Sequence, residues 1–156
     1  MAWYPALGKC SWYVGLILMT ITRINKIFDL LTEVAIATPP MASAKISAAI
    51  VYKGRIISIG TNSTKTSPFQ KMFSHHGEAI HLHAETSAIK NALRNIDESD
   101  LSKCSIFVCR VKKINNHSNN WIWGISKPCK GCQRAIATFN IKNVYYTNDH
   151  GSISIL

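Results

Sequence analysis

Along residues 21–37, apolar side chains recur at Ile24, Ile27, Phe28, Leu31, Val34 and Ala35. That three-and-four spacing predicts an amphipathic helix, and Thr-Pro-Pro at 38–40 predicts its end. AKISAAIVY, residues 44–52, follows as a nearly unbroken apolar run of strand length, which predicts a buried strand. Lys-Gly at 53–54 predicts a turn and RIISIG at 55–60 a second strand, so the pair reads as a hairpin. The polar run from Thr61 to Leu82, punctuated by Pro68 and Gly77, reads as a long loop, and in a small domain such loops carry function or stay unstructured. A helix opens at about His83, with Ala84, Ala88, Ile89, Ala92 and Leu93 as its inner face. Beyond it, CSIFVCRV at 104–111 predicts a strand and WIWGIS at 121–126 a short extended run. Lys130 to Phe139 predicts a helix, NVYYT at 143–147 a strand, NDHG a turn and SISIL a final short strand. This alternation predicts an α/β layered domain, with helices covering one mixed sheet of about five strands.

Composition narrows the picture. A chain of 156 residues with 47% hydrophobic and 17% charged residues suits one folded domain rather than a disordered segment. Its net charge of +10 implies attraction to something anionic: nucleic acid, nucleotide phosphate or an acidic membrane face. The basic residues are scattered, densest at Lys112-Lys113 and around Lys127 and Lys130. The five cysteines (Cys10, Cys104, Cys109, Cys129, Cys132) are an odd number, and no convincing leader precedes them. Together these point to a reducing, cytoplasmic setting in which cysteines pack, react or bind metal. The apolar run WYVGLILMTI at 12–21 is well short of the roughly 20 residues that span a bilayer, so no membrane association is expected. Residues 1–20 are expected to be an extension of uncertain role, upstream of a chain that could begin at Met19, and residues 21–156 a single catalytic domain.

Two motifs carry chemistry. HLHAETSAIKNAL at 81–93 places His83 and Glu85 two apart at a helix opening, and PCKGC at 128–132 places Cys129 and Cys132 three apart at another. A helix N-terminus favours ionised sulfur, so both thiolates can face one point near its positive end. One imidazole and two thiolates form a three-ligand set that suits zinc and leaves a fourth position for water. Glu85 beside that position can take a proton from the water and deliver protons to a substrate. A Cys-x-x-Cys by itself serves structural zinc knuckles and redox pairs equally well; His-Ala-Glu upstream and a proline before the first cysteine favour a catalytic zinc.

On these residues the sequence resembles the cytidine and deoxycytidylate deaminase superfamily. The likeness covers about residues 22–156, with GTN at 60–62, HAE at 83–85, SKPCKGC at 126–132 and VYYT at 144–147. It looks most like the small deaminase-like proteins of bacteriophages. The resemblance implies a three-layer α/β/α domain that ends in a hairpin, and zinc-dependent hydrolysis of cytosine to uracil in a free (deoxy)cytidine nucleoside or nucleotide. It implies His83, Cys129 and Cys132 on zinc, Glu85 as proton shuttle, Asn62 on the sugar or base, and the Ala84 N–H and Lys127 carbonyl near the pyrimidine edge. Homo-oligomers are common among such proteins and are expected here. The terminal hairpin resembles free cytidine deaminases, whereas HAE is the triplet of the deoxycytidylate and polynucleotide group, so the phosphate state stays open. Two alternatives remain: action on single-stranded DNA or RNA, with Trp121, Trp123 and the loop at 62–82 forming a groove, and a non-enzymatic zinc-stabilised binding module. Phe69 is a candidate for the pocket wall. His75, His76 and His81 are expected on a solvated loop rather than at a second metal, and Cys10, Cys104 and Cys109 as packed thiols.

Overall fold

The structure, a computed structural model, describes residues 8–39, 45–74, 81–115 and 117–156, and the side chains of its first helix from Thr20 onward. Helix α1 runs Gly8–Ala37 and is therefore continuous across residue 20, starting well before the periodic pattern that announced it. Four further strands follow the hairpin of β1 (Lys45–Tyr52) and β2 (Arg55–Thr61): β3 (Cys104–Lys113), β4 (Trp121–Gly124), β5 (Asn143–Thr147) and β6 (Ile153–Ile155). Helices α2 (Pro68–Phe73), α3 (Ala84–Ala92) and α4 (Lys130–Thr138) and a 3-10 helix at Glu98–Lys103 are the other elements among the described residues. The strand order is β2-β1-β3-β5-β6, with β4 paired to the far end of β3, so the sheet has six strands. The sixth is the extended run at 121–124. Among the described residues only β3 and β5 run parallel; the other pairings are antiparallel, including the terminal hairpin of β5 and β6.

The sheet is covered on both faces. From β1, Ala48 and Ile50 join Ile106 and Val108 of β3 against Ala84, Ala88 and Ile89 of α3 and Ala135 and Ile136 of α4. The alternate residues Ala49, Val51, Phe107, Cys109 and Val111 meet Phe28, Leu31 and Ala35 of α1. Two-sided burial explains why β1 reads as a continuous apolar run instead of an alternating one. Among the described residues no helix is long and apolar enough to cross a membrane.

The segment from Thr61 to Leu82 corrects the expectation of an unrelieved loop. Pro68, at the first turn of α2, supplies a preset φ. Phe69 and Phe73 then meet edge to face at a centroid separation of 5.3 Å, and Phe139, which caps the end of α4, stacks on Phe69 at 6.1 Å and meets Phe73 edge-on at 6.2 Å. This apolar contact, not helical periodicity, is what orders six residues of an otherwise polar stretch.

Helix α3 lies unusually close to the edge strand β2. A Cβ on Gly60 would stand 2.3 Å from the Ala88 nitrogen and 2.5 Å from the Ala84 carbonyl oxygen, so no side chain fits there. The contact is fastened by hydrogen bonds from the helix and the turn after it to the strand backbone: Asn91 Nδ2 to the Ile59 carbonyl at 2.9 Å and Asn95 Nδ2 to the Ile57 carbonyl at 3.0 Å. In the reverse direction Ser58 Oγ donates to the Ala88 carbonyl at 2.7 Å. Gly60→Ala forces helix and strand apart. Urea denaturation of that variant is expected to show a loss of about 2 kcal/mol or more, since overpacking against backbone cannot be relieved by a rotamer change.

Candidate active site

The starts of α3 and α4 meet at one end of the sheet. His83 is the N-cap of α3, and Cys129 the N-cap of α4, where its Sγ accepts the Cys132 N–H at 3.5 Å. His83 Nδ1 lies 3.5 Å from Cys129 Sγ and 3.3 Å from Cys132 Sγ, and the three atoms all fall within 4.8 Å of one another. A tetrahedral zinc with ordinary Zn–N and Zn–S bonds would separate nitrogen from sulfur by about 3.6 Å. The spacing and the soft donor set therefore fit that ion.

Two networks place these side chains, and neither was visible in the sequence. On the α3 side, Gln70 of α2 is buried, and its Oε1 accepts both the His83 N–H at 3.2 Å and the Thr86 hydroxyl. It thus caps α3 from a separate element, where His83 itself supplies no side-chain cap. On the α4 side, the approach to Pro128 is anchored by Ser126 and Thr147, both buried. Ser126 Oγ donates to the Val108 carbonyl at 2.7 Å and accepts the Thr147 N–H at 2.9 Å; Thr147 Oγ1 donates to the Gly124 carbonyl at 2.8 Å. Gln133 Nε2 then donates to the Pro128 carbonyl at 2.7 Å.

The titrating groups are strongly coupled. Cys129 is held down to about 3 by hydrogen bonds from Cys132 and His83, whereas Cys132 is pushed up by its bond to Cys129 and by burial. A divalent metal held by these residues would take both sulfurs as thiolates. The hydrogen bond to Cys129 raises His83. Glu85, in the first turn of α3, is only 6% exposed, and burial pushes its carboxyl upward, into the direction required of a group that both takes and gives protons near neutrality.

A cavity of about 420 Å³ opens over this cluster. His83, Glu85 and Cys129 line it, as do the predicted Asn62, Ala84 and Lys127. Asn62 is fixed at the mouth of the hairpin, its N–H donating to the Ile46 carbonyl at 3.2 Å and its Oδ1 accepting the Ile46 N–H at 3.0 Å. Phe69 is a correction: it packs in the phenylalanine cluster behind α2 and is absent from the cavity wall. His81 lines the cavity, with Nδ1 against the Thr64 carbonyl at 2.8 Å, but does not join the Cys–Cys–His cluster. His75 and His76 lie outside the described residues, as does the Cys10 side chain. Cys104 and Cys109 are buried thiols, and burial pushes Cys109 up to about 11. Trp121 and Trp123 face α1 rather than the cavity; Trp123 Nε1 donates to Thr32 Oγ1 at 2.9 Å.

The family model for the cytidine and deoxycytidylate deaminase zinc-binding region matches residues 22–148. The chain belongs to that family. The matched span takes in all three members of the nitrogen–sulfur cluster and Glu85, and a zinc cofactor fits this deaminase on both its family and its donor set. Two solved structures are similar to it: dCMP deaminase from the cyanophage S-TIM5 in apo form and in complex with dCMP and dUMP. They are 25% and 24% identical, cover 83% of this deaminase and 82% and 81% of their own chains, and superpose with a TM-score of 0.48 each. No curated protein matches the sequence.

Gln70→Leu keeps the volume of the side chain and removes the acceptor. The His83 N–H is then left without its cap, and a stability loss of roughly 1–3 kcal/mol is expected in chemical denaturation.

Proposed function

We propose that this deaminase hydrolyses cytosine to uracil in a free (deoxy)cytidine nucleoside or nucleotide, with His83, Cys129 and Cys132 holding zinc and Glu85 moving protons. The observation that carries the reading is the juxtaposition of a buried carboxyl with a three-donor cluster, two of whose members, His83 and Cys129, line a ligand-sized cavity. Zinc, when bound, supplies a Lewis acid that brings a water molecule to ionise near neutral pH. Glu85 accepts one proton of the attacking water and passes it to the ring nitrogen as the C4–O bond forms; it then takes the remaining hydroxyl proton and passes it to the exocyclic amine, so that C4=O forms as the C4–N bond breaks and ammonia leaves. Asn62, the Ala84 N–H and the Lys127 carbonyl hold the nucleoside so that C4 faces Glu85. Burial of Glu85 keeps bulk water from competing for the proton it carries.

A free substrate is favoured over a single strand because the described cavity wall carries no Trp, Tyr or Phe on which successive bases could stack. Trp121 and Trp123, the residues that might have formed such a platform, support α1 instead.

Ammonia release from cytidine, deoxycytidine, dCMP, adenosine and single-stranded DNA tests the reading directly. Glu85→Ala is expected to retain zinc and to lose at least about 100-fold in turnover, the scale of a removed general acid–base. Turnover in that variant at the wild-type rate would defeat the assignment. Cys129→Ser and Cys132→Ser are each expected to lower bound zinc below one ion per chain, as measured by metal analysis after dialysis.

A further inference from the structure

We infer that a second cavity, between α1 and the β1–β2 turn, is a docking site for the phosphodiester backbone of a double-stranded nucleic acid. The inference stands apart from the deaminase reading, because it uses other residues in another place. This cavity, of about 580 Å³, is lined by Arg23 and Lys26 of α1 and by Lys53 and Arg55 of the hairpin, together with Ile27, Gly54 and Ile56. Ile46, at the start of β1, lines the catalytic cavity, whereas Lys53 follows the end of that strand. At roughly 3.3 Å per residue the strand sets the two about 20 Å apart, too far for one nucleotide to touch both.

The charge there is uncompensated. Four cations line one opening, and among the described residues no carboxylate shares it. None of the four makes an ion pair among those residues, where the pairs are Lys103 with Asp100 and Lys112 with Asp149. Asp29, the next acid along α1, lines a different cavity beside Trp123 and Ser152. Like charges gathered in this way repel one another, and a partner with several negative charges removes that cost.

Helix and turn contribute to a single patch. Arg23 and Lys26 are three apart on α1 and so share a face. Gly54, at a φ of 76°, brings the turn up to the helix, since a Cβ there would stand 3.6 Å from Arg23 Nη1. All four cations are exposed, which suits an extended partner that carries its charge on the outside. The lining offers no Asn, Gln, Ser or Thr to read a base or a sugar, and no aromatic ring. Tyr52, next to the turn, does not line it and has Lys53 Nζ 5.0 Å from its ring centroid. Single strands are gripped largely through stacked bases, whereas a duplex keeps its bases inside and presents rows of phosphates. The surface therefore matches a duplex backbone, and the net charge of +10 draws such a partner in.

The test follows the fluorescence anisotropy of a short blunt-ended DNA duplex titrated with the full zinc-loaded chain across a salt series. Four phosphate contacts predict that log K falls by about 3.6 per tenfold rise in salt. Lys26→Gln combined with Arg55→Gln spares the left-handed turn residues. It is expected to bind roughly tenfold more weakly at about 50 mM salt and to halve the slope. Lys71→Gln combined with Lys142→Gln removes the same charge from exposed positions elsewhere and is expected to change neither. Equal weakening in that control means diffuse attraction by net charge and overturns the site, as does an unchanged slope in the first variant. Tighter binding of a single strand than of the duplex overturns it too. So does binding of phosphatidylserine vesicles or inorganic tripolyphosphate, through the same cations, by a protein that ignores the duplex. Unfolding midpoint and zinc content verify that the variants fold. If the first does not, Lys26→Gln alone is expected to lower the slope by about one, and no change there is decisive against the site. Duplex binding that depends on these cations stands whether or not the protein releases ammonia from any substrate.

Discussion

The arrangement depends on bringing two helix starts, some 46 residues apart in sequence, to within one metal's reach. His83 Nδ1 and the sulfurs of Cys129 and Cys132 are separated by 3.5 and 3.3 Å only because α3 and α4 both begin at the same end of the sheet. Coordination tolerates errors of a few tenths of an ångström, so each helix must be held along its length as well as at its tip. For α3 this is achieved by pressing it on Gly60, which fixes its height above β2, and by Asn91 and Asn95, which fix its position along the strand. For α4 the same work falls to the buried hydroxyls of Ser126 and Thr147 and to the phenylalanine cluster beneath α2. The site is thus a property of the whole layer of helices rather than of the motif residues alone.

The cavity divides its electrostatic labour. A buried carboxyl and the Cys129 sulfur lie beside the positive ends of two helices, and Arg110 and Lys127 line the same cavity. Net charge alone could not have indicated this, because most of the basic excess lies elsewhere on the surface.

Much of this was legible from the chain itself, and the reasons differ by residue. His83, Glu85, Cys129 and Cys132 could be read because metal and proton chemistry admit few residue types and the local spacing survives in sequence. The helix of Phe28 and Leu31 and the Lys53-Gly54 hairpin could be read because periodicity and turn chemistry are local; Lys53 and Gly54 adopt φ of 48° and 76°. Gln70 could not, because its role is to cap a helix that lies thirteen positions away, and a glutamine in a polar run carries no sign of burial. Phe69 misled for a related reason: an aromatic in a long loop near a site suggests a pocket wall, but Phe139 offered it a larger apolar surface.

The bonds from Asn91 and Asn95 to the carbonyls of Ile57 and Ile59 have an effect beyond aligning α3. They occupy acceptors on the outermost strand of the hairpin, the groups that an incoming polypeptide would otherwise use for cross-chain pairing. At the opposite side the sheet finishes in a strand of three residues, too short to template much of anything. Fibril-type growth along the hydrogen-bonding direction is therefore blocked at one border and poorly seeded at the other, and stacking of copies has to proceed through side-chain surfaces instead.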